Sequence, residues 1–153
     1  MLLHDKVGSM SALPSVIDRF VDYYSGLDSQ PASALAAIYD ADATLVDPFG
    51  THRGLLTIQR YFTHLLANVN ACRFAIETPL YDAPRCAVAW TMHWSHPRIA
   101  AGASLALKGC SMVKIQGDRI VHQRDYYDAG EMLYEHLPVL GWAVRGVKRR
   151  VRS

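Results

Sequence analysis

Two aspartates are the residues of this chain best suited to chemistry. Asp47 opens the turn Asp47-Pro48-Phe49-Gly50 after the strand-like run Thr44-Leu45-Val46, and Asp125 sits inside a second strand-like run at 119–127. A positioned carboxylate can take up or return a proton, and two in one pocket can divide acid and base work. Each also has a structural use. Asp-Pro before a glycine turn starts turns and caps backbone amides, and Asp125, flanked by His122 and Arg124, could do no more than fix the sheet. The sequence leaves both uses open. His93-Trp94-Ser95-His96 invites a metal reading, but residues three apart on a strand face opposite sides and cannot converge on one ion. His122 and Asp125 fail in the same way. No glycine-rich phosphate cradle is present, so the chemistry is expected to need neither metal nor cofactor.

The elements that must position these residues follow from hydrophobic period. Residues 14–26 read as a helix, with Val16, Ile17, Phe20, Val21 and Tyr24 at helical spacing, Ser11 as a nearby cap and Gly26 as the stop. A polar break at 27–31 precedes a short helix through Leu35, Ile38 and Tyr39, a strand at 44–47 and a turn at 48–50. A third helix, 54–67, presents Leu55, Ile58, Phe62, Leu65 and Leu66. Beyond Asn70 the pattern alternates, loosely at 73–81 and clearly at 86–95, where Val88, Trp90, Met92 and Trp94 share one side. Strands at 103–115 and 119–127 follow, joined by the hairpin signal Gln116-Gly117-Asp118. Residues 131–136 look helical, Pro138 interrupts, and 139–151 resume as a basic amphipathic segment. Helices followed by a run of antiparallel strands predict an α+β fold, a long curved sheet wrapping a helical lid with a pocket between them. Trp90, Met92, Trp94, Tyr126 and Tyr127 could cradle a flat hydrophobic ligand or simply fill the core.

Composition narrows the class. A chain of 153 residues suits one domain. No stretch approaches the roughly 18 apolar residues of a membrane span, and residues 1–10 lack the apolar run of a secretory signal. Cys72, Cys86 and Cys110 are odd in number and widely spaced, so reduced thiols and a cytoplasmic location are expected. Arg145, Lys148, Arg149, Arg150 and Arg152 place five cations in the last nine residues; without them the body carries 11 basic and 14 acidic side chains. The basic character belongs to the tail, so no nucleic-acid partner is expected. The tail could dock on its own domain, on a dimer mate or on an anionic membrane, the last weakly for one short segment. Tyr134, Leu137 and Leu140 could form a lid over the pocket.

The run Tyr39-Asp40-Ala41-Asp42-Ala43-Thr44-Leu45-Val46-Asp47-Pro48-Phe49-Gly50, then Arg53-Gly54 and a helix, resembles the nuclear transport factor 2-like superfamily. It is similar there to ketosteroid isomerases and SnoaL-like polyketide cyclases. Arg124-Asp125-Tyr126-Tyr127-Asp128 resembles the matching strand of SnoaL-like proteins and limonene-epoxide hydrolases. The resemblance spans 14–136. It implies a cone-shaped, curved antiparallel sheet wrapped around the N-terminal helices, cystatin-like, enclosing a pocket. The domain would occupy 1–136, with a basic amphipathic extension at 137–153. Such motifs identify the fold more specifically than the function, because this fold hosts enzymes, carriers and assembly domains.

By the same resemblance Asp47 matches the general base of ketosteroid isomerases. Their oxyanion tyrosine falls at Phe20, which donates no hydrogen bond, and their protonated acid falls near Ser111; Tyr23 or Tyr24 are the candidate substitutes. Asp125 matches the acid/base of the polyketide cyclases and the water-activating acid of the epoxide hydrolases. The other hydrolase positions fall near Thr91, His93, Leu45 and Asp47, so epoxide hydrolysis is not expected. The resemblance puts Ser111, Val113, Gln123, Asp125 and Tyr127 on the same side as Val88, Trp90, Met92 and Trp94. With Phe20 and Tyr24 these are the expected ligand-binding residues, and burial there should raise the Asp125 pKa. The implied function is binding of a small hydrophobic molecule, with cofactor-independent isomerase, cyclase or dehydratase chemistry through Asp125 and Asp47. The alternatives are a non-catalytic carrier and an assembly domain forming a homodimer through the sheet face.

Overall fold

The computed structural model describes residues 12–132 and 138–152. Helix α1 (Ser15–Ser25) buries Val16, Ile17, Phe20, Tyr23 and Tyr24, the stripe its 3.6-residue period predicts. Two 3-10 turns follow, Leu27–Ser29 and Ala32–Ala37, the second where the sequence suggests a short helix. Strand β1 (Tyr39–Asp47) begins earlier than expected, and after the expected turn at Pro48 and Phe49 β2 (Gly50–Arg53) folds back antiparallel on it. Helix α2 (Leu55–Leu66) starts after Gly54, whose φ of 85° suits a residue without a Cβ. Then come β3 (Ala71–Ile76), β4 (Leu80–Asp82), β5 (Arg85–Ser95), β6 (Leu105–Gln116), β7 (Arg119–Tyr127), α3 (Ala129–Met132) and α4 (Pro138–Arg152).

The strands form one seven-stranded sheet in the order β2-β1-β7-β6-β5-β3, with β4 also pairing β5. Every pairing is antiparallel except one: β1 runs parallel to β7. The expected fold class is corrected in two respects. The sheet is mixed, not antiparallel throughout. It is also open: β2 and β3 end the strand order at opposite edges, so the sheet neither closes into a cone nor curls strongly around the helices. Instead α1 packs against β3, and α2 against β1 and β2. The physical reason is that hairpin turns reveal the polarity of consecutive strands, whereas β1 meets its partner only across most of the chain. Pro138 heads α4, in keeping with the tolerance of a first helical turn for proline. The Ser11 cap, the 131–136 helix beyond Met132, the boundary at 136/137 and the lid side chains of Tyr134, Leu137 and Leu140 lie outside what is described. Among the described residues no helix is long and apolar enough to cross a membrane.

The core lies between α1, α2 and the inner sheet face. On β5 Cys86, Val88, Trp90, Met92 and Trp94 are buried, as alternation predicts. Trp90 pairs with Gly109 of β6 and lies against it: a Cβ on Gly109 would come within 2.2 Å of the indole ring. Gly109→Ala is therefore expected to push Trp90 from its place and cost about 2 kcal/mol by overpacking. Urea denaturation and near-ultraviolet dichroism check this; unchanged stability and spectrum would show that the indole has room elsewhere.

Candidate functional site

The parallel pairing sets Leu45 beside Gln123 and Val46 beside Arg124. Leu45 and Gln123 both point inward and are buried. Two residues further along each strand the same face carries an aspartate, so Asp47 and Asp125 come to lie on neighbouring strands, whose spacing is about 4.8 Å.

Asp47 is buried at the β1–β2 hairpin. Its Oδ1 accepts hydrogen bonds from the amides of Phe49 (2.8 Å) and Gly50 (3.0 Å), and its Oδ2 accepts one from the Tyr61 hydroxyl of α2. The capping role and the pocket position thus coexist in one side chain. Burial, then the bond to Asp47, push the Tyr61 phenol well above its ordinary range, so it keeps its proton and remains the donor. His52 stacks on Tyr61 with ring centroids 3.8 Å apart, and its buried Nε2 has no hydrogen-bond partner.

Asp125 is held differently. Its Oδ1 accepts from Ser111 Oγ (2.6 Å) and Gln123 Nε2 (2.9 Å). Each donor is fixed from behind: Trp90 Nε1 donates to Ser111 Oγ at 2.9 Å, and the Tyr39 hydroxyl donates to Gln123 Oε1 at 2.5 Å. Tyr24 joins through a 2.7 Å hydroxyl contact with Tyr39. Burial raises the Asp125 carboxyl to about 6, with a further push from the Asp47 charge, against the two hydrogen bonds that favour the ionised form.

The two carboxylates line one inner chamber of about 50 Å³, with Tyr24, Leu45, Tyr61, Phe62, Phe74, Trp90, Met92 and Tyr127 among its walls. It adjoins a larger apolar cleft of about 360 Å³, bounded by Phe49, Leu66, Val69, Trp94, Ile99 and others, and the two share Tyr61, Leu65, Cys72, Met92 and Met132. Of the expected ligand residues, Tyr24, Trp90, Met92 and Tyr127 line the chamber, and Trp94 lines the cleft. Ser111 and Gln123 stand behind Asp125 as its donors. Phe20, Val88 and Val113 are core; Phe20 stacks on Tyr24 at 4.3 Å. Tyr61, Tyr39 and Phe74 were not anticipated. Tyr61 follows Ile58 by three residues and precedes Phe62, so its place on the buried side of α2 was legible, but its bond to Asp47 was not. Among the described residues no group of three or more His, Cys, Asp or Glu side chains could hold a metal ion.

Residues 20–123 match the family described as the SnoaL-like domain. This chain belongs to that family. No curated protein matches this SnoaL-like chain. Its fold is similar to that of a hypothetical protein with a ketosteroid isomerase-like fold from Catenulispora acidiphila, in complex with trimethylamine. That protein is 18% identical, covering 78% of this chain and 90% of its own, at a TM-score of 0.69. A nuclear transport factor 2-like protein of unknown function from Burkholderia pseudomallei is 18% identical over 79% of this chain and 96% of its own, at 0.69. A putative SnoaL-like polyketide cyclase from Shewanella denitrificans is 19% identical over 78% and 95%, at 0.67. At these identities the likeness is one of fold.

The Asp125 shift has a consequence for the stability of this SnoaL-like domain. A folded-state pKa of about 6 against an ordinary 3.8 means that the folded state binds the proton more tightly. Stability therefore falls as pH rises from about 4 to about 6 and is level above. Asp125→Asn keeps an oxygen acceptor and removes the charge. It is expected to gain on the order of 3 kcal/mol over the parent at pH 8 and little at pH 4. Denaturation midpoints at the two pH values test this, and equal effects at both would refute it.

Proposed function

We propose that this domain binds a small hydrophobic molecule and transfers a proton on it, as a cofactor-independent isomerase, cyclase or dehydratase. The observation that carries this reading is that two carboxylates, one raised to about 6, open into the same aromatic chamber. A base poised near neutrality is what removal of a proton beside a carbonyl requires. Asp47, tied to two turn amides and to Tyr61, cannot swing toward a substrate, so its part is electrostatic and Asp125 carries the proton. Tyr24 is committed to Tyr39 and Gln123 and does not replace the oxyanion tyrosine lost at Phe20. Tyr127 lines the chamber and is held protonated by burial and by both aspartates; it is the hydroxyl we assign to the developing oxyanion. The names of relatives lend support, one a putative polyketide cyclase and one holding trimethylamine. Helix α4 reaches the body through Lys148, which donates to Asp128, and we treat 137–153 as an extension to a ligand domain at 1–136. A homodimer through the outward sheet face, where Met112 and Tyr126 are exposed, is compatible with this function.

Exchange of α-hydrogens of lipophilic ketones in heavy water, followed by proton magnetic resonance, tests the proposal without a known substrate. The parent is expected to catalyse exchange, with a rate that rises with pH through about 6 and then levels, as ionised Asp125 is the base. Asp125→Asn should lose about 100-fold or more while still binding the ketone. Ketones that bind the parent without exchanging would leave the carrier reading in its place.

A further inference from the structure

We propose that the ligand carries a positive charge: an amine, protonated or quaternary, with its head between Asp47 and Asp125 and its apolar body in the outer cleft. This rests on the reading of the chamber as a ligand site and adds the charge of what enters it.

Among the described residues the chamber has no cationic wall. Asp47 and Asp125 are the charged residues described at its lining, with no Lys, Arg or His among the rest. The hydrogen-bond donors of both aspartates are neutral: amides, a phenol, a hydroxyl and a carboxamide. The ion pairs among the described residues engage Asp28, Asp118 and Asp128 instead. Arg124, adjacent to Asp125 in sequence, is exposed on the opposite face and lies 5.1 Å from the centre of the Tyr126 ring. Like charges on neighbouring strands repel, and neither Asp47 nor Asp125 is in the ion pairs formed by Arg19, Arg73, Arg119 and Lys148.

The walls favour the same sign. Phe74, Trp90 and Tyr127 line the chamber and pack on one another at an angle, Phe74 and Trp90 at 4.8 Å and 67° and Trp90 and Tyr127 at 6.0 Å and 57°. Aromatic rings attract cations over their faces. A cation gains from carboxylates and rings together, a neutral head gains burial and at most a hydrogen bond, and a carboxylate head is repelled by both aspartates. Size agrees: about 50 Å³ suits an ammonium head, and the apolar cleft of about 360 Å³ takes the body.

Proton linkage follows. The titratable groups coupled to Asp125 are Asp47 and the phenols of Tyr24, Tyr39, Tyr61 and Tyr127. The phenols are all held neutral by burial, so Asp125 is the group that changes charge near pH 6. A bound cation favours its ionised form, and amine affinity rises with pH up to about tenfold per unit below that point.

The test uses three probes of one length on the full chain: hexylamine, 1-hexanol and hexanoate, titrated by calorimetry at pH 7.5. Hexylamine is expected to bind at least tenfold more tightly than hexanol, and hexanoate not at all. Asp47→Asn and Asp125→Asn should each weaken hexylamine about tenfold and leave hexanol unchanged. The pH dependence should vanish in Asp125→Asn, which keeps His64 and His96 of the outer cleft in place. Hexanol binding as tightly as hexylamine to the parent would overturn the charge assignment while leaving the ligand site intact. No binding of any probe at millimolar concentration would overturn both.

Discussion

The parallel pairing of β1 with β7 is the constraint on which the site depends. It is the single parallel ladder in a sheet whose other pairings are antiparallel, and it joins residues about eighty positions apart in the chain. Because both strands run the same way, Leu45 and Gln123 share the inner face, and so do the aspartates two positions on. An antiparallel pairing of the same two strands would carry one aspartate away from the other as each chain advanced. The β1–β2 hairpin then fixes Asp47 through the amides of Phe49 and Gly50. The β6–β7 hairpin fixes Asp125 through Ser111.

Placing two carboxylates side by side in an apolar chamber costs free energy, and the structure meets that cost unequally. Asp47 receives three hydrogen bonds. Asp125 receives two, and burial with the neighbouring charge outweighs them, so its carboxyl holds a proton to about pH 6. Environment alone makes two chemically identical side chains unlike, the condition under which one pocket can hold a fixed charge and a mobile proton. The buried hydrogen-bond chain from Tyr24 through Tyr39 and Gln123 serves this difference, because it leaves the donors of Asp125 no alternative geometry.

The SnoaL-like fold supplies this frame without dictating its use. Phe20, expected at the ligand, is instead core and packs on Tyr24. The phenols that line the chamber are those of Tyr24, Tyr61 and Tyr127. The apolar cleft outside the chamber gives a ligand body somewhere to lie.

The sequence by itself determined what depends on neighbours in the chain. The stripe of α1, the alternation of β5 and the bounds of β7 were all legible, because a helix or strand repeats its own period locally. So was the family, from the runs around Asp47 and Asp125. Tertiary structure decided what depends on pairs far apart: the polarity of β1 against β7, the openness of the sheet, the bond from Tyr61 to Asp47 and the core role of Phe20, Val88 and Val113. Side-chain period says which face a residue takes, but it carries no record of which distant strand lies beside it or in which direction that strand runs. The two aspartates were visible from the start as candidates. Their meeting in one chamber, with unequal hydrogen bonding, exists only once the sheet has assembled.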